Sequence, residues 1–190
     1  MRFVGIDPST KTGFVALEED GSVLRGKELT GVGTNEAVKM CTLIDEVIAH
    51  ILPGDIIAIE GFGYKSDQAT QLGGIGWGIR MALCRRKFRW IEAAPMALKK
   101  FAGATGNKDS EGKAIKSDKK EVARQVNLHW GYGHSSDNVI DAFVLAQIAK
   151  MANGFGQEVQ DLYPRYQIEV VQNILYPEPK AKKKRKKAKA

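Results

Sequence analysis

The chain has 190 residues, enough for one domain of ordinary size with its own apolar core. Its formal charge of +7 is concentrated: KAKKKRKKAKA, Lys180 to Ala190, holds seven lysines, one arginine and no acid, so residues 1–179 sum to about −1. Two distant cysteines exclude a disulfide framework or zinc site. No apolar run reaches the ~20 residues of a membrane span, and the chain opens in a strand pattern rather than a signal peptide. The expectation is a reduced, cytoplasmic protein with no membrane partner, Cys41 and Cys84 in its core, and a disordered basic tail that attracts phosphate regardless of sequence.

Phe3, Val4 and Ile6 predict a short buried strand, stopped by Asp7-Pro8-Ser9-Thr10. Residues 13–17 and 22–29 then read as two further strands joined through Glu19-Asp20-Gly21. Over 35–52 the spacing of Val38, Cys41, Ile44, Val47, Ile48 and Ile51 predicts a helix with one dry side, capped by Thr34 or Asn35. Pro53-Gly54-Asp55 ends it, and IIAIE at 56–60 reads as a strand buried on both faces with an acid, Glu60, at its tip.

Gly61-Phe62-Gly63-Tyr64-Lys65 is a loop, and 66–86 predicts a helix in spite of Gly73, Gly74, Gly76 and Gly78. Four glycines cost a helix roughly 1 kcal/mol each, so they are expected to admit a close neighbour, a second subunit being one candidate. A strand at 88–92 and a short helix at 95–102 opened by Pro95 follow. The turn-rich stretch 103–116 predicts an exposed, mobile loop. Ser117 or Asp118 caps a helix to about 129 with Val122, Val126 and Leu128 apolar, and 137–152 predicts a helix with a wide apolar surface. Residues 164–175 suit a final short helix.

Asp137 and Asp141 lie one turn apart on that strongly apolar helix and therefore share a face. With Asp7 and Glu60 they make four acids, two ending strands and two on a helix able to cover them, and no Lys or Arg is obviously placed to neutralise the group. Carboxylates brought together raise one another's pKa unless a cation intervenes, and Mg²⁺, with Mn²⁺ as the alternative, is the natural partner of an all-oxygen set. Taken singly, each acid is more often a cap, a turn former or a surface group, and Asp137 could simply cap the helix it begins.

The segments GIDPSTKTGFVAL, IAIEGF and DNVIDAF, in that order and spacing, resemble the RuvC-like Holliday junction resolvases, most closely the short bacterial and phage versions. The resemblance covers about residues 1–153. It implies an α/β, ribonuclease H-like fold, with a five-stranded mixed sheet flanked by helices. It also implies a homodimer that cuts branched DNA, four-way junctions above all, by two-metal hydrolysis.

Position by position it makes Asp7, Glu60 and Asp141 metal ligands. The family's remaining ligand falls on Asn138, so Asp137, four residues before Asp141, is the expected substitute, with Asn138 a replacement ligand or a supporting group. Lys119, together with Lys99 or Lys100, matches basic residues near the scissile phosphate. Phe62 and Tyr64, with Lys65 beside them, fall in the loop where the family carries an aromatic wedge. An exposed aromatic there can stack on an unpaired base for ~1–3 kcal/mol; packing against the next helix is the alternative.

These readings divide the chain into a nuclease domain at 1–153, an extension at 154–179 and the tail at 180–190. Rivals within the class are a ribonuclease H and a less selective branch or flap nuclease, which share all the acids. Outside it stand a non-catalytic DNA-binding protein held by the tail, and the phosphate-binding hairpin of actin-like sugar kinases, which need two such domains.

Overall fold

A computed structural model describes residues 1–62, 69–156 and 162–178. Its strands are β1 (Phe3–Asp7), β2 (Thr12–Leu17), β3 (Val23–Leu29), β4 (Ile56–Glu60) and β5 (Trp90–Ala93). The helices are α1 (Glu36–Ala49), α2 (Ala69–Arg85), α3 (Pro95–Phe101), α4 (Lys119–Trp130), α5 (Asp137–Asn153) and α6 (Arg165–Leu175). The strands form one mixed sheet in the order β3-β2-β1-β4-β5, with β1, β4 and β5 parallel and the β1-β2-β3 meander antiparallel.

Strand periodicity decides which side chain meets which helix. Val4 and Ile6 of β1 and Ile57 and Ile59 of β4 point to one face, where Leu43, Val47 and Ile48 of α1 and Ile75, Ile79 and Leu83 of α2 cover them. The intervening positions, Phe3 and Gly5 of β1 and Ala58 of β4, face the other way, towards α5. By the same alternation Asp7 and Glu60 end their strands on the α5 side. Because Ile6 pairs with Ile59, the two acids leave the sheet edge side by side.

α5 is buried almost all round, wedged between the sheet and α3, α4 and α6, which is why no single polar stripe runs along it. It lies against the sheet at backbone distance: a Cβ on Gly5 would collide with the Ala142 carbonyl, and one on Gly13 with the carbonyl of Asn138. α6 docks on α3 through the Gln167 amide, which donates to the Phe101 carbonyl at 3.0 Å, and buries Val170 and Val171 in the same core.

The structure corrects several expectations. Cys41 and Cys84 are exposed, because the buried sides of their helices are set by Leu43-Val47-Ile48 and Ile75-Ile79-Leu83. Val38 and Leu128 also face solvent, one outside the buried side of α1 and the other beyond the Val122-Val126 contact of α4. The 103–116 stretch is tied down at its start: Ala104 is buried, and the Asn107 amide donates to Gly103 O and to Glu121 at 2.8 and 2.7 Å. Tyr64, Lys65 and the 180–190 tail lie outside the described residues. Among the described residues no helix is long and apolar enough to cross a membrane.

The α5–sheet contact generates a first prediction. Gly5→Ala forces a methyl into a backbone carbonyl, and overpacking of this kind costs about 3 kcal/mol. The thermal midpoint should fall by roughly 6–12 °C, measured by calorimetry.

Candidate metal and phosphate site

At the edge of the sheet where β1 and β4 end, Asp7 is only 6% exposed. Burial holds its carboxyl well above the ordinary carboxylate range, and the adjacent Glu60, which shares a hydrogen bond with it, pushes the same way. Glu60 is raised as well, mainly by burial, with Asp141 adding repulsion. Asp141, reaching in from the second turn of α5, is pushed up to about 7 by burial and then by the charge of Asp7. None of the three makes an ion pair within 4.0 Å among the described residues.

The cations around them stand back. Lys119, at the first position of α4, and Lys99, on α3, both oppose the upward shifts of Glu60 and Asp141. Lys119 Nζ is 3.8 Å from Asp137 Oδ2 and 3.5 Å from Asn138 Oδ1. Lys99 donates to the Ser117 carbonyl at 2.9 Å, fixing the residue before the Asp118 cap of α4. Lys100, the other candidate, turns away and bonds Glu169 of α6 at 2.8 Å. Asp137 is half-exposed at the start of α5; its side chain makes no capping hydrogen bond, and neither does that of Ser136, the residue that caps the helix.

Asn138 binds the β1–β2 turn. Its Nδ2 donates to the Lys11 carbonyl at 2.7 Å and to Ser9 Oγ at 3.2 Å, which ties α5 to the β1–β2 turn. That turn is held internally, with Thr12 Oγ1 donating to Ser9 O at 2.7 Å and the Lys11 amide donating to Ser9 Oγ at 3.1 Å. Phe62, the expected wedge, is partly buried. It lies against Trp77 of α2 with ring centres 5.3 Å apart and has the Arg80 guanidinium 4.4 Å from its own centre, so it adopts the packed alternative.

Arg80 was missed. It is buried, donates to the Glu60 carbonyl at 2.9 Å, to Gly76 O at 3.0 Å and to Glu92 Oε1 at 2.7 Å, and so fixes the backbone that carries Glu60. Nothing in the sequence marks it among the basic residues of that helix.

The oxygen-only donor set, Asp7 buried and Glu60 and Asp141 half-buried, with no ion-pair partner among the described residues, has the chemistry of a hard divalent cation site. As the side chains stand, no group of three His, Cys, Asp or Glu among the described residues closes around one point to hold an ion. Neutralising charge is what would let the carboxyls ionise together and draw in.

Comparison with solved structures finds RuvC of Thermus thermophilus in complex with a Holliday junction substrate, with a TM-score of 0.59 and 19% identity over 81% of this chain and 96% of that one. A second Thermus thermophilus RuvC structure matches at 0.58 and 21%, with the same coverage. No protein-family model matches the chain, and no curated protein matches it significantly in sequence. The fold is therefore ribonuclease H-like, a five-stranded mixed sheet flanked by helices.

The electrostatics make a second prediction. A carboxyl whose pKa is raised on folding holds its proton in the native state after the unfolded chain has lost it, so its contribution falls as pH rises from about 4 to about 7. Asp141→Asn removes that loss. Without metal it should melt roughly 4–8 °C above the parent at about pH 8, and the gap should close near pH 4, as read by thermal denaturation across pH.

Proposed function

We propose that this chain is a metal-dependent, structure-selective endonuclease that hydrolyses phosphodiesters in branched DNA, four-way junctions foremost. The observation that carries the proposal is the convergence of Asp7, buried, with Glu60 and Asp141, half-buried, at one edge of a ribonuclease H-like sheet, with no ion-pair partner among the described residues. Branched DNA as substrate is supported by the fold shared with a RuvC structure that holds a Holliday junction.

In this reading Asp7, Glu60, Asp141 and Asp137 hold two Mg²⁺ ions, or Mn²⁺ in their place. Bound there, the ions supply activation of a water and stabilisation of the leaving 3′-oxygen. The protein does the rest. Lys119, held beside Asp137 and Asn138 at the helix start, offers its ammonium to the charge that grows on the phosphate. Lys99 adds positive potential while fixing the approach to α4. Arg80 keeps the Glu60 backbone from shifting as charge enters the site. Phe62, packed between Trp77 and the Arg80 guanidinium, steadies the chain where it leaves Glu60.

Residues 1–153 form the nuclease unit in this proposal, with 154–179 an extension and the basic tail at 180–190 adding sequence-independent DNA affinity. We place the protein in the cytoplasm, as a homodimer that cuts both strands of a junction. Its partner face is the outer side of α2, where Trp77 and Met81 are 58% and 50% exposed and Gly73 has open space around its Cα.

The test is a nicking assay with Mg²⁺ or Mn²⁺ on a synthetic four-way junction, set beside linear duplex, a flap and an RNA–DNA hybrid. The junction should be cut preferentially, Asp7→Asn should lower the rate at least ~100-fold, and Lys119→Ala by roughly 10- to 100-fold. Preferential cutting of the hybrid would make it a ribonuclease H, and equal cutting by Asp7→Asn would end the enzymatic reading. Light scattering should give twice the chain mass, returning to one chain in Trp77→Glu.

A further inference from the structure

Position 138 sits among four acids and carries an amide. Its surroundings leave only one orientation for that amide. Lys11 O can only accept, so it requires the nitrogen, and the Lys119 ammonium can only donate, so it requires the oxygen. Both Nδ2 hydrogens are then used, one on Lys11 O at 2.7 Å and one on Ser9 Oγ at 3.2 Å, while Oδ1 faces Lys119 Nζ at 3.5 Å. A reversed amide would set oxygen against oxygen and a donor against a donor. A carboxylate would do half of this damage, since it has no hydrogen for Lys11 O.

The main chain binds the same point. Gly13 of β2 lies directly beneath the Asn138 carbonyl, so the first turn of α5 is pinned to β2 by packing and to the β1–β2 turn by the amide. From this anchor the amide oxygen, with Asp137 at 3.8 Å, holds the Lys119 ammonium near Asp7, Glu60 and Asp141, whose carboxyls all feel its charge.

We infer that Asn138 is a positioning residue and not a metal ligand: its amide locks the start of α5 to the β1–β2 turn and aims Lys119 at the reacting phosphate. The amide oxygen is a single neutral acceptor that already faces the Lys119 ammonium, which makes it a poor place for a second cation, whereas the Asp137 carboxylate carries a full charge and a second oxygen. The charge a ligand at 138 would have supplied falls to Asp137, one residue earlier. This inference rests on the nuclease reading for the purpose of Lys119, but the lock itself does not.

The experiment compares Asn138→Asp, Asn138→Ala and Ser9→Ala with the parent in two measurements. The first is thermal denaturation of the metal-free protein, repeated against added Mg²⁺ alone. The second is junction nicking over a range of substrate concentration. A lock predicts that Asn138→Asp and Asn138→Ala each lower the metal-free midpoint, by roughly 4–8 °C, and that Ser9→Ala lowers it by less. It further predicts that Ser9→Ala costs less in the Asn138→Ala background than in the parent, because the bond the two residues share is already gone and only the Lys11 amide's bond to Ser9 Oγ is left to lose.

In nicking, Asn138→Asp should reduce kcat by roughly 10-fold with KM for the junction unchanged, and should not lower the Mg²⁺ concentration that half-saturates the thermal shift. If Asn138→Asp instead tightens Mg²⁺ and cuts faster, position 138 is a ligand site and the inference is overturned. If the metal-free midpoints move as expected but the parent cuts no DNA, the lock stands and the nuclease reading falls.

Discussion

The distance between helix α5 and strands β1 and β2 governs everything at this site. Asp141 can reach Asp7 only because the helix backbone lies directly on the sheet, and it lies there only because Gly5 and Gly13 present no side chain beneath Ala142 and Asn138. A helix resting on ordinary strand side chains is held farther off the sheet by them. At that separation the helix carboxyls would hang above the strand ends in solvent, each with its ordinary pKa. The small residues under α5 thus do chemical as well as packing work: they bring like charges together where neither would settle alone.

That crowding has a cost the fold does not cancel internally, and the comparison with another buried acid makes this plain. Glu121 is just as inaccessible, yet the Arg124 guanidinium, with amides from Gln125 and Asn107, holds it down to about 2. Among the described residues Asp7, Glu60 and Asp141 receive no such partner, and their pKa values move the opposite way. The protein can neutralise a buried carboxylate where it needs to. At the sheet edge it keeps lysines at a remove, close enough to moderate the potential and too far to occupy the space between the acids. In the proposed reading, cations from solution meet that demand for positive charge.

Around the carboxyls the supporting contacts fall into two anchors. Asn138 joins α5 to the turn that follows Asp7, and Arg80 joins α2 to the backbone of Glu60. The second anchor depends on the glycines of α2. A Cβ on Gly76 would strike the Phe62 ring, and Cβ atoms on Gly74 and Gly78 would strike Met40 and Ile44 of α1. The helix penalty of those glycines is offset by close packing on α1 and by the socket in which Arg80 and Phe62 stack. One helix therefore touches the strand tip that carries Glu60, the aromatic that follows it and, on its outer side, solvent through Trp77 and Met81.

Sequence alone determined the order and type of the elements, since the short apolar runs at 3–7 and 56–60, bounded by turn formers, and the helical spacing of apolar residues in α1 and α5 leave little choice of period. It also singled out Asp7 and Glu60, because an acid ending an apolar strand is conspicuous wherever it occurs. Other features could be decided only in three dimensions. Which side of α1 or α4 is dry depends on neighbours, so Cys41 and Leu128 were misplaced by a pattern that allows several rotations of the helix. Arg80 is one basic residue among many until its guanidinium is seen on the Glu60 carbonyl. The division of labour between Asp137 and Asn138 is invisible in the string DNVIDAF, because both lie near the same face. It emerges only when the β1–β2 turn arrives from more than a hundred residues away to accept the hydrogens of the Asn138 amide.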